Sequence, residues 1–403
     1  MKLTWTDYPE YYDDKMDSIS LEIPAPPLKN HIFIEGDNYP VLKKLSPLYS
    51  QKINLIYIDP PYNTGNSFTY SDKFYSGSSI STDTDKHSAW LSFMNKRLLL
   101  AKELLSQEGC IFIAIDQSEL YVLKILCDQI FGEENFINDF MWLHGKGKKD
   151  TWSRTLQQHT LCYAKDKNHL KPFVETQTTN WAKSNPDNDP RGNWFSGSIS
   201  FTEKRSNPNH KNFFTITSPS GIKWERQWLC SKEEMSQFIN DNKIFWGTAP
   251  LFNKVPRIKI FNNEQKEIIP KNIIDCTDST REAQNHLDKL LGEKGVFDNP
   301  KPVQLIEHLI QITQMPSDSI IMDFFAGSGT TFEAVCLLNQ KENGHRKCIL
   351  IQKEEITSER KGSKKAFNAG FSTISQICMA RLQKNSEQYN ERIDFFKLEE
   401  KNN

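Results

Sequence analysis

Two stretches that lie far apart in the chain decide the fold: INLIYIDPPYNTG at residues 53–65 and SIIMDFFAGSGTT at residues 319–331. Each begins with a short apolar run, which is typical of a buried strand, and continues at once into a turn rich in Pro or Gly. We therefore predict strands over 53–58 and 319–325, each followed by a loop at its carboxyl end.

The segments that follow these strands show an alternation of helices and strands. Apolar residues spaced three and four apart predict a helix over 86–107, and CIFIAI at 110–115 predicts the next strand. The same reasoning predicts a strand over 347–352 and further helices over 118–131, 330–339 and 364–384. This alternation predicts an α/β fold with a doubly wound, mostly parallel sheet.

The middle of the chain, residues 144–295, lacks this alternation and is rich in Asn, Pro, Ser and Gly. We predict that it is an inserted domain, and that 1–143 and 296–403 form the two parts of one α/β domain. Residues 141–260 contain 19 Lys and Arg against 10 Asp and Glu, together with seven of the nine Trp. This composition suits a nucleic-acid surface, where cations meet phosphates and rings stack on bases, and equally a small domain with an aromatic core.

The composition also argues against several classes of protein. No apolar run approaches the length that spans a bilayer, and residues 1–16 are acidic and aromatic, so we expect no membrane segment, no secretory signal and a cytoplasmic location. The eight Cys form no CxxC pair and the nine His show no HExxH spacing, so we predict no metal site. Cys110 and Cys348 lie in apolar runs and are predicted to be reduced core residues.

The glycine loop that begins at Asp323 indicates a cofactor. Glycines directly after a buried strand let a ligand approach the backbone and open a helix with free N–H groups. The loop lacks the Lys of a Walker A motif and the third Gly of the dinucleotide fingerprint, so taken alone it is as well explained by a structural turn. Glu354 and Glu355 stand just beyond the next predicted strand, where an acidic residue can accept hydrogen bonds from ribose hydroxyls.

The second loop, Asp59-Pro60-Pro61-Tyr62, indicates a base with an exocyclic amine. The two prolines fix the turn, the Asp59 carboxylate and the Pro60 carbonyl can each accept one N–H, and the Tyr62 ring can stack on the base. A single Asp-Pro is common in structural turns. The full tetrapeptide at a strand end, together with a glycine loop on a second strand, is less expected by chance.

DPPY at 59–62 together with FAGSGTT at 325–331 resembles the amino-methylating DNA methyltransferases, which use S-adenosylmethionine. The order of the two motifs is similar to that of the β class, whose target-recognition domain lies between them. Gly36-Asp-Asn and Asn299-Pro-Lys-Pro match further short motifs of this family. Over nearly the whole chain the sequence is most similar to modification subunits of type III restriction–modification systems.

This resemblance implies a Rossmann-like methyltransferase fold, with residues 144–295 as the target-recognition domain. The catalytic residues that it implies are Asp59, Pro60, Pro61 and Tyr62. The implied S-adenosylmethionine-binding residues are Asp37, Lys301, Asp323, Phe325, Ala326, Gly327, Ser328, Gly329, Thr330 and Glu355.

The stretch NPDNDPRGNW at 185–194 contains the two residues that we predict to contact DNA, Arg191 and Trp194. It begins like a calcium-binding EF-hand loop, but Arg191 stands where that loop needs an oxygen ligand and Ser198 stands where it has a bidentate Glu, so we predict no calcium site here. Two interpretations remain: a turn that places Arg191 and Trp194 near DNA, and a purely structural turn.

The function implied by the resemblance is methyl transfer to N6 of adenine in double-stranded DNA. We expect a homodimer and a restriction endonuclease subunit as a further partner. Asp59 favours adenine, because members that methylate N4 of cytosine usually carry Ser at this position. The chain is shorter than most type III modification subunits, so a type II or orphan system is an alternative. The alternative functions are N4-cytosine or RNA methylation, a specificity subunit without catalysis and, more weakly, a nicotinamide oxidoreductase.

Overall fold

The computed structural model describes residues 3–5, 19–66, 68–70, 72, 83–144, 152–178, 182–262, 265–275, 277–360 and 362–400. These residues do not include three parts of the chain considered above: Trp181, Cys276 and most of the stretch 1–16. The chain divides into two compact units. Unit 1 comprises Met1–Phe173 and Pro270–Asn403, and unit 2 comprises Val174–Ile269.

The strands follow one another along the chain as β1 (Ile19–Ser20), β2 (His31–Glu35), β3 (Ile53–Ile58), β4 (Leu105–Ile115), β5 (Phe136–Leu143), β6 (Gln157–Ala164), β7 (Glu175–Thr178), β8 (Trp194–Ser198), β9 (Phe213–Thr217), β10 (Lys223–Gln227), β11 (Ile244–Phe245), β12 (Arg257–Phe261), β13 (Gln265–Ile268), β14 (Ile273–Ile274), β15 (Ile320–Asp323), β16 (Lys347–Gln352), β17 (Ile393–Lys397) and β18 (Glu399–Glu400).

The α-helices are α1 (Asn38–Tyr49), α2 (Asp83–Leu104), α3 (Leu120–Phe131), α4 (Lys232–Asn240), α5 (Thr280–Leu291), α6 (Val303–Ile312), α7 (Thr330–Glu342), α8 (Lys364–Asn368) and α9 (Ile374–Tyr389). Within the described ranges, none of these helices combines the length and the apolar character that crossing a bilayer requires.

Unit 1 is built on a nine-stranded sheet with the strand order β14-β5-β6-β4-β3-β15-β16-β2-β17. Neighbouring strands are parallel throughout, except that β6 runs antiparallel to both β4 and β5. The predicted mostly parallel sheet is therefore confirmed.

Helices cover both faces of this sheet, because successive strand residues point to opposite sides. In β3, Ile56 and Ile58 belong to a core with side chains of α1, α2 and α3, whereas Leu55 and Tyr57 belong to a second core with side chains of α6, α7 and α9. All Cys within the described residues are buried and free, as predicted for two of them from the apolar runs. The sheet is thus doubly wound.

The direction in which the chain winds reverses between β3 and β15. From β3 the next strand, β4, is added on one side, and from β15 the next strand, β16, is added on the other, while β3 and β15 themselves pair in parallel. Loops separate at such a point and leave a crevice at the carboxyl ends of the two strands. The two loops singled out in the sequence follow these two strands.

Unit 2 has a small core of its own. Its sheets are the three-stranded β11-β12-β8 and the antiparallel pairs β9–β10 and β7–β13. The side chains buried in its core include Ile199, Ile216, Trp228, Met235 and Trp246.

Unit 2 is shorter than the predicted inserted domain, residues 144–295. The difference arises at both ends. Strand β6 pairs with β4 and β5 and so completes the large sheet, and α5 packs on α9 of unit 1. Antiparallel β6 breaks the strand–helix alternation on which the boundary at 144 was based.

Several predicted elements have different bounds in the structure. The helix predicted over 364–384 is divided into α8 and α9, because Gly370 has a φ of +87°, which a helix does not accommodate. Strand β4 begins at Leu105, five residues before the predicted start, and α2 ends at Leu104.

Candidate active site

A cavity of about 260 Å³ lies at the carboxyl ends of β3 and β15. Its wall contains 13 of the 14 residues predicted for catalysis and cofactor binding. These are Asp37, Asp59, Pro60, Pro61, Tyr62, Lys301, Asp323, Phe325, Ala326, Gly327, Ser328, Thr330 and Glu355. Segments separated by more than 200 residues are brought together here, because β3 and β15 are neighbours in the sheet.

On the β3 side, the loop presents a carboxylate and a carbonyl. The Tyr62 hydroxyl donates to Oδ1 of Asp59 at 2.5 Å. Burial and the charge of Asp59 raise the pKa of Tyr62 well above its usual value, so the hydroxyl stays protonated and acts as the donor. The Pro61 carbonyl accepts from Nε1 of Trp90 at 2.7 Å, whereas among the described residues no side chain or backbone N–H donates to the Pro60 carbonyl. Pro60 therefore offers a carbonyl that a ligand can use.

Lys301 lies on this side of the cavity as well. Its Nζ is 2.6 Å from Oδ2 of Asp59 and 2.9 Å from the Tyr62 hydroxyl, and the residue is 8% exposed. The resemblance implied a cofactor-binding role for Lys301. In the structure Lys301 lines the cavity, and its ammonium binds Asp59 and Tyr62, the two polar side chains of the DPPY loop.

Asp72 and Glu119, which were not among the predicted site residues, anchor the residues that directly follow the DPPY loop. The backbone N–H groups of Asn63 and Thr64 each donate to a carboxylate oxygen of Asp72 at 2.9 Å. The Asn63 side chain donates to Glu119 at 2.7 Å, and His87 contacts the same oxygen of Glu119. Asn63 has a φ of +59°, a conformation that Asn adopts more readily than most residues. These contacts fix the direction in which the loop leaves β3.

On the β15 side, Asp323 anchors the glycine loop. Its Oδ1 accepts from the backbone N–H of Phe325 at 3.0 Å, and its Oδ2 accepts from the Thr331 hydroxyl at 2.5 Å. The N–H of Gly327 donates to the side-chain oxygen of Gln352 on β16 at 2.7 Å. Gly327 has a φ of +55°, and a Cβ at this position would lie 3.1 Å from the Phe297 ring on the cavity wall. The lack of a side chain at Gly327 therefore leaves space in the cavity beside the Phe297 ring.

Gly329 is the predicted residue that is not part of the cavity wall. Its φ is +83°, and a Cβ there would meet Leu382 at 3.0 Å and Cys378 at 3.1 Å, both on α9. The residue therefore allows the loop to pack closely against α9. An added side chain at Gly329 would therefore meet α9 rather than enter the cavity.

Two predicted cofactor residues of the cavity wall, Asp37 and Glu355, follow strands β2 and β16. Asp37 accepts from Arg97 Nη2 at 3.0 Å and caps α1 by accepting from the N–H of Tyr39. Glu355 lines the cavity, whereas Glu354 is 47% exposed at its side chain and pairs with Lys397 at 2.7 Å. Of the two adjacent acids, only Glu355 is placed to meet a ligand in the cavity.

Comparison with known proteins identifies the family. A family model described as DNA methylase, N6_N4_Mtase, matches residues 53–360, a span that contains both loops. The chain belongs to this DNA methylase family.

Three relatives extend this result. The chain is 33% identical to the type III restriction-modification enzyme StyLTI Mod subunit of Salmonella typhimurium, over 88% of this chain and 56% of that protein. It is 32% identical to the EcoPI Mod subunit of Escherichia phage P1, over 88% of this chain and 62% of that protein. It is also 32% identical to the type II methyltransferase M.KpnI of Klebsiella pneumoniae, over 94% and 93% of the two chains. The chain thus spans about 56–62% of these two type III relatives and nearly all of M.KpnI.

The protonation of Asp323 should make the stability of this DNA methylase family member depend on pH. Burial raises the pKa of the Asp323 carboxyl from 3.8 to about 7. The folded state then holds a proton that the unfolded state has released, so this group lowers the free energy of unfolding as pH rises from about 4 to about 7. We expect Asp323→Asn to lose this dependence.

Denaturant unfolding at pH 5 and at pH 8, one below and one above the raised Asp323 pKa of about 7, checks this prediction. The stability of the wild-type chain relative to Asp323→Asn should be lower at pH 8 than at pH 5. An equal difference at the two pH values would show that Asp323 does not titrate in this range.

In unit 2, the structure corrects the prediction for Trp194. The residue is 3% exposed, and its Nε1 donates to Asp187 at 2.8 Å. A ring buried in this way cannot stack on a base. Trp194 is therefore a buried structural residue of unit 2, with its ring 4.9 Å from that of Phe245, which favours the structural interpretation of the stretch 185–194.

Arg191 is held by the same turn. Its Nε and Nη2 donate to the two carboxylate oxygens of Asp189 at 2.8 and 2.7 Å, and Nη2 also donates to the Asn242 carbonyl at 3.0 Å. Asp189 additionally accepts from the buried Lys259 at 2.8 Å. These cations lower the pKa of Asp189 well below its usual range, with the hydrogen bond from Arg191 as the largest cause. With its guanidinium engaged in this network, Arg191 is less suited to reading a base edge than the sequence analysis predicted.

Proposed function

We propose that this chain is a site-specific DNA methyltransferase that transfers a methyl group from S-adenosylmethionine to N6 of adenine in a flipped-out nucleotide. One observation carries the proposal: the acceptors Asp59 and Pro60 and the glycine loop line a single cavity at the switch point of the sheet. Membership of the DNA methylase family supports it.

The wall on the β15 side fits S-adenosylmethionine. Gly327 leaves room beside the backbone where a side chain would fill the cavity. Glu355 stands beyond the following strand, in the position where an acid accepts from ribose hydroxyls. When bound, S-adenosylmethionine supplies an electrophilic methyl group on sulfur.

The DPPY loop would act on the base. A base inside a duplex cannot enter the cavity, so the target nucleotide must leave the stack. The N6 amine is a weak nucleophile because its lone pair is delocalised into the ring. Asp59 and the Pro60 carbonyl, by accepting the two N–H groups, favour a pyramidal nitrogen whose lone pair is available. Alignment of nitrogen and methyl in one cavity can contribute several kcal/mol more.

Lys301 would prepare Asp59 for this role. Its ammonium and the Tyr62 hydroxyl each bind one oxygen of the Asp59 carboxylate, so the carboxylate has a fixed orientation. Each carboxylate oxygen has two acceptor positions, so an amine of the base can be bound while these contacts persist. The carboxylate at position 59 supports adenine rather than cytosine as the target.

We assign target recognition to unit 2, in place of the wider range 144–295. The basic surplus is not confined to it: residues 141–173 contain seven Lys and Arg against two Asp and Glu, and residues 174–269 contain 13 against 10. Phosphate contacts would therefore come from both stretches, whereas base contacts give specificity.

The partners follow from the relatives. Similarity to two Mod subunits of type III enzymes supports a restriction endonuclease subunit as a partner, and similarity to M.KpnI over nearly its full length supports action without one. We further propose a homodimer that acts on DNA in the cytoplasm.

Sequencing of DNA from a methylation-deficient bacterial host tests the proposal. With a method sensitive to methyl-adenine, cells expressing the chain should show N6-methyladenine at one recurring sequence, and cells expressing Asp59→Ala should not. Unmodified adenine in both, with the chain folded and abundant, would contradict the proposed function.

A further inference from the structure

A buried ion pair lies directly behind the glycine loop. Arg381 on α9 is 1% exposed and Glu333 on α7 is 2% exposed, and Nη2 of Arg381 is 2.8 Å from Oε2 of Glu333. Removal of two charges from water cancels much of their attraction, so a buried ion pair by itself adds little net stability. The contribution of this ion pair to the structure therefore depends on the other groups that its two side chains hold in place.

Arg381 also reaches the loop that lines the cavity. Its Nη1 donates to the Ser328 hydroxyl at 3.0 Å and to the Thr330 hydroxyl at 2.7 Å. A guanidinium can only donate hydrogen bonds, so both hydroxyl oxygens act as acceptors toward Arg381. The proton of each hydroxyl must therefore point away from Arg381. Ser328 and Thr330 both line the cavity.

Glu333 keeps Arg381 in this orientation. Its Oε2 accepts from Nε and Nη2 of Arg381 and from Asn385, and its Oε1 is 2.6 Å from Nε2 of His286. Burial alone would raise the pKa of Glu333, but the hydrogen bond from His286 and the charge of Arg381 lower it to about 2. The carboxylate is ionised at neutral pH and binds one edge of the guanidinium, which leaves Nη1 for the loop.

We propose that Arg381 is a positioning residue for the cofactor: it orients the Ser328 and Thr330 hydroxyls as donors toward an anionic group in the cavity, which in S-adenosylmethionine is its carboxylate. This inference rests on the proposed function, because it concerns how that function's cofactor is held. Hydrogen bonds to charged groups correspond to about 10- to 100-fold in affinity. A ligand with the carboxylate should be favoured by this factor over one without it.

Calorimetry with two ligands tests this selectivity. S-adenosylmethionine and its decarboxylated form differ only in the carboxylate. In Ser328→Ala/Thr330→Val we expect affinity for S-adenosylmethionine to fall by about 10- to 100-fold and affinity for the decarboxylated form to change little. Arg381→Gln/Glu333→Gln, which removes both charges, should show the same selective loss.

A control and a second variant keep the test decisive. Arg346→Gln/Glu342→Gln removes another ion pair, formed at the opposite end of α7, and should leave both affinities unchanged. If Arg381→Gln/Glu333→Gln does not fold, Arg381→Lys keeps a cation near Glu333 but lacks the planar fork that binds Glu333 through Nε and Nη2 and both hydroxyls through Nη1, and it should again weaken only the binding of S-adenosylmethionine.

Three outcomes would count against the inference. Equal losses for the two ligands would show that Arg381 only maintains the shape of the loop, and unchanged affinities would show that it has no role in binding. In both cases the wild-type chain still binds S-adenosylmethionine, so the proposed function stands. Failure of the wild-type chain to bind S-adenosylmethionine would instead overturn the proposed function together with the inference.

Discussion

Replacement of Asp59 by Ala is expected to reduce methyl transfer by about 10³-fold while affinity for S-adenosylmethionine changes little. The carboxylate would act on the base amine and lies on the β3 side of the cavity, opposite the glycine loop. Loss of one preorganised polar group at a reacting atom typically costs about 10²- to 10³-fold in rate. The loss of rate should lie at the upper end of this range, because Lys301 and Tyr62 would both lose Asp59, the partner that they share.

Single-turnover transfer and cofactor calorimetry on the same preparation check this prediction. Asp116→Asn is the matched control, because Asp116 stands at the end of the neighbouring strand β4 but is not part of the cavity wall. The control should retain a rate close to that of the wild type. A near-normal rate for Asp59→Ala would rule out its assigned role, and equal losses in the two variants would indicate a general effect of charge.

Replacement of Gly327 by Val is expected to weaken S-adenosylmethionine binding by roughly 100-fold or more. The left-handed backbone conformation costs a β-branched residue about 1–2 kcal/mol, and overpacking against Phe297 adds about 1–3 kcal/mol. Because both penalties fall at the cavity wall, the loop should shift to relieve them, and this shift displaces the wall that binds S-adenosylmethionine.

Gly292→Val separates the two effects. Gly292 has a φ of +78°, and a Cβ there would meet nothing within 4 Å. This variant should carry the same backbone strain but bind S-adenosylmethionine normally, as calorimetry can show. If both variants bind equally well, the glycine loop does not form the cofactor wall.

The α/β fold could be predicted from local patterns, and most residues of the cavity wall could be predicted from the resemblance to the amino-methylating DNA methyltransferases. Apolar runs that end in Pro or Gly turns identified β3 and β15, and parallel strands bring their carboxyl ends to one edge of a sheet. That the two strands are direct neighbours, with Asp59 and Gly327 on one cavity, is a result of the structure.

The features that could not be predicted depend on pairs of residues distant in sequence. Arg381 meets Glu333, Ser328 and Thr330 across 48, 53 and 51 residues, and no local pattern marks such contacts. Trp194 illustrates a different limit. Composition showed an aromatic residue in a basic stretch, but whether its ring faces solvent or a core depends on the packing of β8 against its neighbours.

The identity of the methylated nucleoside is the most direct test of the account. The purified chain is incubated with double-stranded DNA and S-adenosylmethionine labelled in its methyl group, and the DNA is digested to nucleosides and separated. The label should appear as N6-methyladenine in the wild-type reaction and be absent with Asp59→Ala. Label in N4-methylcytosine, or incorporation into RNA but not DNA, would contradict the proposed function.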